Sequence, residues 1–147
     1  MLQPSVGVIT PSRLQQIAVG PQADTYFVDR AITGALAQTV VAEGRARLTF
    51  IIGIDADIPA SLAERRDVIW ARSETRSQAG ALNAGIDAAA DRFDYIAFLE
   101  DDDWWDPNYL TWGLNALKRY DFVSTTQLEV DENGTIMRIN DFPTPSG

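Results

Sequence analysis

Short apolar runs alternate along the chain with longer stretches in which apolar residues recur every three or four positions. Four of the runs have the length of strands, at residues 5–10, 47–54, 67–72 and 94–99. The first is closed by Pro11 and the second by Asp55. Such runs are typical of strands that are buried on both faces, as the strands of a parallel sheet are.

Two of the longer stretches carry an apolar stripe at helical spacing. The first stripe consists of Phe27, Ala31, Ala35 and Thr39. The second consists of Ala79, Leu82, Ile86 and Ala89. They predict one long helix after the first strand and another after the third. The connection at residues 14–24 has no predicted element, and connections of that length are often functional.

A third helix is predicted after the fourth strand, where Asp106 is a good N-cap and Pro107 suits the first helical position. Its buried face would be Leu110, Leu114 and Leu117. The alternation of strands and helices predicts an α/β fold, with a mostly parallel central sheet and helices on both faces. Residues 121–140 predict a C-terminal hairpin with a turn at 131–134, and residues 141–147 predict a loop.

The composition favours one globular domain over residues 1–147, because 46% of the residues are hydrophobic and 22% are charged. The chain has no cysteine and no histidine, so a catalytic metal would need oxygen ligands, as Mg²⁺, Mn²⁺ or Ca²⁺ do. A net charge of −9 argues against a nucleic-acid partner. It would also repel an anionic substrate unless a metal bridged the two.

We find no apolar run long enough to span a membrane and no signal peptide at the N-terminus. A cytoplasmic protein is therefore expected, with peripheral membrane association as an alternative.

The stretch FLEDDDWWDP places four carboxylates side by side at the end of the fourth predicted strand. Two unit charges 4 Å apart repel by about 1 kcal/mol in water and about 4 kcal/mol near a protein surface. The run is therefore either a solvated helix entry or a cation site. In open α/β sheets, ligands bind beyond the carboxyl ends of the strands. Polar residues also follow the first two predicted strands, which favours a shared site at that edge.

Four segments together resemble the family 2 glycosyltransferases of the GT-A fold: ITPSR, GIDAD, AGALNAGI and FLEDDDWW. The resemblance covers residues 5–110. It implies a Rossmann-like nucleotide-binding half that binds a nucleotide-sugar donor, UDP-linked in the first instance, with Mg²⁺ or Mn²⁺. The acceptor is an unknown glycan, lipid or small molecule, and the resemblance implies that the sugar is transferred with inversion.

The resemblance also implies roles for individual residues. The base and ribose would be bound near Thr10, Pro11 and Arg13. Asp55 would hydrogen-bond the uracil, and Asn83 would lie near the ribose and diphosphate. Glu100 and Asp102 would be the first and last positions of the Asp-x-Asp signature, with Asp101 also on the nucleotide side and Asp102 as the direct metal ligand.

The chain departs from the family pattern at three places. Glu100 stands where Asp is usual. A cation toward the diphosphate is missing at Leu82 and at Gln78, which leaves Arg72, Arg76 or the metal to supply that charge. The family's catalytic base lies on a later element, and we identify no base in these 147 residues.

The missing base suggests the N-terminal, donor-binding part of a longer transferase. Two other functions stay open on the sequence. One is a non-catalytic nucleotide-sugar-binding module or a fragment without the base. The other is a sugar nucleotidyltransferase, although residues 11–17 lack the glycine-rich basic loop that would grip a triphosphate.

Overall fold

A computed structural model describes residues 3–141 of the chain, and its main feature is a four-stranded sheet flanked by helices. All neighbouring strands are parallel, in the order β3-β2-β1-β4. The strands are β1 (Ser5–Ser12), β2 (Arg47–Ile54), β3 (Val68–Arg72) and β4 (Tyr95–Phe98). The helices are α1 (Phe27–Leu36), α2 (Thr39–Ala42), α3 (Ala60–Ala63), α4 (Gln78–Ala89) and α5 (Tyr109–Ala116). The predicted α/β fold with a parallel sheet is confirmed.

The chain divides into two compact units, Met1–Thr111 and Trp112–Gly147. The second unit contains an antiparallel hairpin of β5 (Gln127–Val130) and β6 (Ile136–Asn140), which confirms the predicted C-terminal hairpin. Its turn is held by the Asp131 carboxylate, which accepts hydrogen bonds from the backbone amides of Asn133 and Thr135. The predicted loop at 141–147 lies outside the described residues from position 142 onward.

Strand β1 is longer than predicted, because it continues through Pro11 to Ser12, opposite Gly53 and Ile54 of β2. The pairing of β1 with β4 ends at Ile9, so beyond that residue one side of β1 has no partner strand. Pro11 has no N–H to donate, but it needs none on an unpaired side. The strand therefore carries Ser12, rather than Thr10, to the edge of the sheet.

The connection between β1 and α1 folds back on itself. Gln16 and Tyr26 form an antiparallel bridge, and the Ile17 amide donates to the Thr25 carbonyl at 2.8 Å. Ile17 is buried, which fixes the connection to the core. Leu14 begins the reversal with a φ of 55°, a left-handed conformation that is uncommon for leucine.

Helix α4 packs on the sheet through small residues, which confirms the predicted burial of Ala89 and, in part, of Leu82, but corrects the prediction for Ala79 and Ile86. Ala81, Gly85 and Ala89 are buried, whereas Ala79 and Ile86 are exposed. A Cβ added to Gly53 of β2 would lie 1.9 Å from the Ala81 carbonyl oxygen. The backbones of α4 and β2 therefore approach too closely for large side chains, which moves the buried face onto the smallest residues of the helix.

The first predicted stripe is split between two helices, since α1 ends at Leu36 and α2 begins at Thr39. Gln38 at the break is buried, and its amide bonds two backbone groups of a distant segment. Its Nε2 donates to the Asp106 carbonyl at 2.6 Å, and its Oε1 accepts from the Leu110 amide at 2.9 Å. The prediction of one continuous helix through Thr39 is therefore wrong, because the backbone at Gln38 is not helical, with φ −55° and ψ 136°.

The predicted N-cap before α5 is found in the structure. The Asp106 carboxylate accepts a hydrogen bond from the Asn108 amide at 2.9 Å, although the regular helix begins only at Tyr109. Leu110 is buried, and Leu114 and Leu117 are partly buried. Between residues 3 and 141, we find no helix of the length and apolar character needed to cross a bilayer.

Candidate functional site

Strands β1, β2 and β4 bring polar residues to the carboxyl edge of the sheet. Ser12 pairs in register with Ile54, so Asp55 follows directly beside the end of β1. The acidic run begins at Glu100, two residues beyond the end of β4. The shared edge inferred from the sequence is therefore present: β1 and β2 end side by side, and β4 ends opposite Ile9, three residues before the end of β1.

Three carboxylates of the acidic run converge. Oxygen atoms of Glu100, Asp102 and Asp103 all lie within 4.8 Å of one another, and the three side chains are exposed. A turn brings Asp103 back toward Glu100, since its amide donates to the Glu100 carbonyl at 3.1 Å. Desolvation by the surrounding chain raises the pKa of Asp103 although its side chain is exposed, and the charges of Asp102 and Glu100 raise it further. We call this group the acidic cluster.

Asp101 is held differently from its neighbours. Its carboxylate accepts a hydrogen bond of 2.6 Å from the Ser12 hydroxyl, which in turn accepts from the Leu14 amide. Burial raises the pKa of Asp101, while the Ser12 hydrogen bond opposes that rise. Asp101 therefore ties the acidic run to the end of β1. The sequence predicted Asp101 on the nucleotide side and did not single out Ser12 as its partner.

Two of the departures from the family pattern contact each other. The Gln78 amide at the start of α4 donates to the Glu100 carboxylate at 2.8 Å. Glu100, which stands where Asp is usual, and the uncharged Gln78 therefore form a hydrogen-bonded pair, which holds the Glu100 side chain without a cation. The pair carries no positive charge at position 78.

One residue at the site was missed by sequence reasoning. Arg30 lies in α1 and donates from Nη2 to the Asp102 carbonyl at 2.9 Å. Its guanidinium also lies over the ring of Trp104, 5.4 Å from the ring centre. Nothing in the sequence signals this contact, because the two residues belong to separate predicted elements. Trp105 stacks on Tyr109 at 4.7 Å, which supports packing as its role.

The other predicted nucleotide residues differ in accessibility. Thr10 is 1% exposed and lies inside β1, whereas Arg13 is exposed beyond the end of the strand. Pro11 and Asp55 are partly buried at the edge. Asn83 is exposed on the side of α4 that faces away from the sheet, and the described contacts do not bring it to the acidic cluster.

A cleft of about 500 Å³ lies along α1, beside the tryptophans that follow the acidic run. Arg30 and Trp104 line it, but none of the four acidic residues does. The acidic cluster is therefore exposed at the edge of the sheet and lies outside this cleft, next to Arg30 in its lining.

A comparison with models of known protein families identifies the family of this chain. The family model described as glycosyl transferase family 2 matches residues 30–145, which is more than half of the chain. The chain belongs to glycosyl transferase family 2. A search of curated proteins found no match. Membership in this family supports a glycosyltransferase-type activity and does not favour a sugar nucleotidyltransferase.

The family match includes Asp55, Asn83 and the acidic cluster and begins after Thr10, Pro11 and Arg13. Metals that prefer oxygen ligands suit the cluster, because it offers only carboxylates. Exposed carboxylates also leave room for the waters that Mg²⁺ usually keeps. The side chains of the acidic cluster therefore fit a divalent metal ion.

Proposed function

We propose that the protein binds a nucleoside diphosphate sugar, UDP-linked in the first instance, together with Mg²⁺ or Mn²⁺. It would transfer the sugar with inversion to a hydroxyl group of a glycan, lipid or small-molecule acceptor. The observation that carries the proposal is the convergence of three carboxylates within 4.8 Å, at the carboxyl edge of a family 2 domain.

The electrostatics of the acidic cluster support a bound cation. Three carboxylates at this separation repel one another, and each pair costs on the order of 1 kcal/mol or more at a protein surface. The hydrogen bond from Gln78 to Glu100 adds no positive charge. A divalent ion would offset the repulsion, and when bound it would stabilise the charge that builds on the leaving diphosphate.

Different residues at this edge of the sheet would bind the metal and the nucleotide. Asp102 and Asp103 would hold the metal, with Glu100 fixed beside them by Gln78. Asp55 would accept a hydrogen bond from the base, since it lies at the same edge and is partly buried. Thr10, Pro11, Arg13 and Asn83 remain proposed nucleotide contacts from the family resemblance.

In the transfer step, the acceptor oxygen would form a bond to the anomeric carbon while the bond from that carbon to the diphosphate breaks. The proton of the acceptor hydroxyl would pass to a base. We assign no residue of this chain as that base. In this proposal the described residues bind the sugar donor and the metal.

The proposal is tested by calorimetric titration of UDP with and without Mn²⁺, on wild type, Asp102→Asn and Asp55→Ala. Mn²⁺ would bring positive charge to the diphosphate, and the diphosphate would bring oxygen ligands to Mn²⁺. Each should therefore raise the affinity of the protein for the other by the same factor, about 5- to 150-fold. Asp102→Asn should abolish most of this coupling. Asp55→Ala should weaken UDP binding by about 1–3 kcal/mol, whether or not Mn²⁺ is present.

Asp57→Asn is the matched control, because Asp57 is exposed in the same loop as Asp55 and has no proposed role. It should leave both titrations unchanged. UDP binding in the wild type that does not depend on metal would contradict the cation site. Equal binding by Asp55→Ala and wild type would remove Asp55 from the base-binding role.

A further inference from the structure

Arg30 is held between two aromatic rings that belong to different parts of the first unit. Its guanidinium carbon lies 5.1 Å from the ring centre of Phe27, on α1, and 5.4 Å from that of Trp104, just after the acidic run. From this position Nη2 donates to the Asp102 carbonyl at 2.9 Å. A planar guanidinium suits this arrangement, because it stacks on rings and donates in its own plane.

Another N–H donor of Arg30, at Nε, is buried and has no hydrogen-bond acceptor in the described part of the chain. A buried donor without a partner lowers stability, so its presence calls for an explanation. The two ring contacts and the hydrogen bond to the Asp102 carbonyl therefore hold this side chain in place although its buried Nε donor lowers stability.

The carbonyl that Arg30 binds lies between the two carboxylates that would hold a metal. The Asp102 carbonyl belongs to the peptide that joins Asp102 to Asp103, and both side chains contribute oxygens to the acidic cluster. Fixing this peptide limits the directions in which the two side chains can leave the backbone. Groups that orient metal ligands without touching the metal commonly affect how tightly it binds.

We propose that Arg30 is the positioning residue of the acidic cluster. It holds the peptide between Asp102 and Asp103 so that both carboxylates face one divalent cation. The inference rests on the proposed metal site, and it adds a residue outside the acidic run on which the affinity of that site depends.

Positioning and simple electrostatics predict opposite results for loss of the Arg30 charge. A positive charge beside the cluster repels a metal cation, so electrostatics alone predicts tighter Mn²⁺ binding when the charge is removed. Positioning predicts weaker binding, because the carboxylates lose their common direction. The sign of the change therefore separates the two roles.

The experiment measures Mn²⁺ binding in the presence of UDP, by calorimetry, for wild type, Arg30→Met and Arg30→Lys. Methionine keeps an apolar stem between Phe27 and Trp104 but removes the charge and the donors. We expect Arg30→Met to weaken Mn²⁺ binding by roughly tenfold. Arg30→Lys should recover part of the loss, since lysine can donate to the Asp102 carbonyl but lacks the planar stack.

Arg92→Met is the matched control. Arg92 also lies over an aromatic ring, that of Phe93 at 6.0 Å, and also donates to a backbone carbonyl, that of Ala88 at 3.3 Å. It lies between α4 and β4, near the opposite edge of the sheet, so its loss should leave Mn²⁺ binding unchanged. Unchanged or tighter binding by Arg30→Met would overturn the inference.

Hydrogen exchange without metal or UDP provides a second readout. The Asp103 amide bonds the Glu100 carbonyl, and Arg30→Met should speed its exchange while Arg92→Met does not. If the wild type binds no Mn²⁺, the proposed function fails and this exchange alone decides the role of Arg30. If Arg30→Met does not fold, Arg30→Lys decides both readouts, and exchange and binding equal to wild type would overturn the inference.

Discussion

At the scale of the residue, Asp101 differs from the three acids that surround it. Its carboxylate is bound to the Ser12 hydroxyl and is partly buried, and burial raises its pKa. The nearby charge of Asp102 adds to the rise, and the Ser12 hydrogen bond opposes it. The native state therefore holds the charged form of Asp101 at a net cost.

The sign of that cost gives a prediction for Asp101→Asn. The folded-state pKa lies above the unfolded value, so between the two values the native state binds more protons than the unfolded state. Stability from this group is then lost as the pH rises through the folded pKa. Asparagine can still accept from Ser12 without a charge, so at pH 7 the variant should melt about 2–4 °C higher than wild type.

The check is a set of melting curves from pH 3 to pH 8. The difference between variant and wild type should shrink as the pH falls through the folded-state pKa, which lies above the ordinary aspartate value of about 3.9, and it should be smallest below that ordinary value. A variant that melts lower than wild type at pH 7 would show that the charged form stabilises the fold.

Sequence reasoning reached the edge of the sheet but not the arrangement within the acidic run. The strand pattern places Glu100 at the end of a parallel strand, which was enough to predict a shared site with Asp55. Which carboxylates converge depends on the turn that returns Asp103 to Glu100 and on the Ser12 contact of Asp101. Neither has a periodic signature in the sequence.

At the scale of the element, the packing of α4 shows what apolar periodicity leaves out. The pattern predicted the helix and its place in the chain, but it placed Ile86 on the buried face and left out Gly85. The structure buries Ala89 as predicted and leaves Leu82 partly buried, but it exposes Ala79 and Ile86 and buries Ala81 and Gly85. Apolar size indicates burial only where there is room for a side chain, and the distance between α4 and β2 is set by tertiary packing.

This close approach predicts that Gly53→Ala is strongly destabilising. The added Cβ would lie 1.9 Å from the Ala81 carbonyl oxygen, a backbone atom that cannot move aside cheaply. We expect a loss of about 3 kcal/mol in the free energy of unfolding, at the upper end of the usual cost of overpacking.

Gly34→Ala is the comparison, because Gly34 lies within α1 and a Cβ there meets nothing within 4 Å. Alanine favours helix over glycine by about 0.8–1 kcal/mol, so this variant should gain stability. Urea unfolding measures both variants. A Gly53→Ala protein as stable as wild type would show that α4 can shift away from β2 without cost.

At the scale of the whole molecule, the net charge of −9 sets how ligands approach. A nucleoside diphosphate without metal meets a like-charged protein, whereas a divalent cation is attracted. Salt screens both effects, with a Debye length of about 10 Å at 0.1 M ionic strength. Raising NaCl from about 50 to about 500 mM should therefore weaken Mn²⁺ binding and leave metal-free UDP binding unchanged or slightly stronger.

Calorimetry at the two salt concentrations measures both binding constants. A steep loss of metal-free UDP binding with salt would instead indicate that a cluster of basic residues holds the diphosphate. The family match and the fold contain no information on this point, because long-range charge effects depend on the surface of this chain.

The stretch formed by α1 and Gln38 holds the segment after β4 at two separate points. Arg30 binds it near the start, at the Asp102 carbonyl, and Gln38 binds it near the end, at the Asp106 carbonyl and the Leu110 amide. The Thr39 amide adds a bond to the Pro107 carbonyl. A surface loop usually opens independently of its neighbours. This segment is hydrogen-bonded to the α1 region near both of its ends, so residues 102–110 and α1 should open and close as a single cooperative unit. Its opening should be slower than that of a loop that is bonded at one end only.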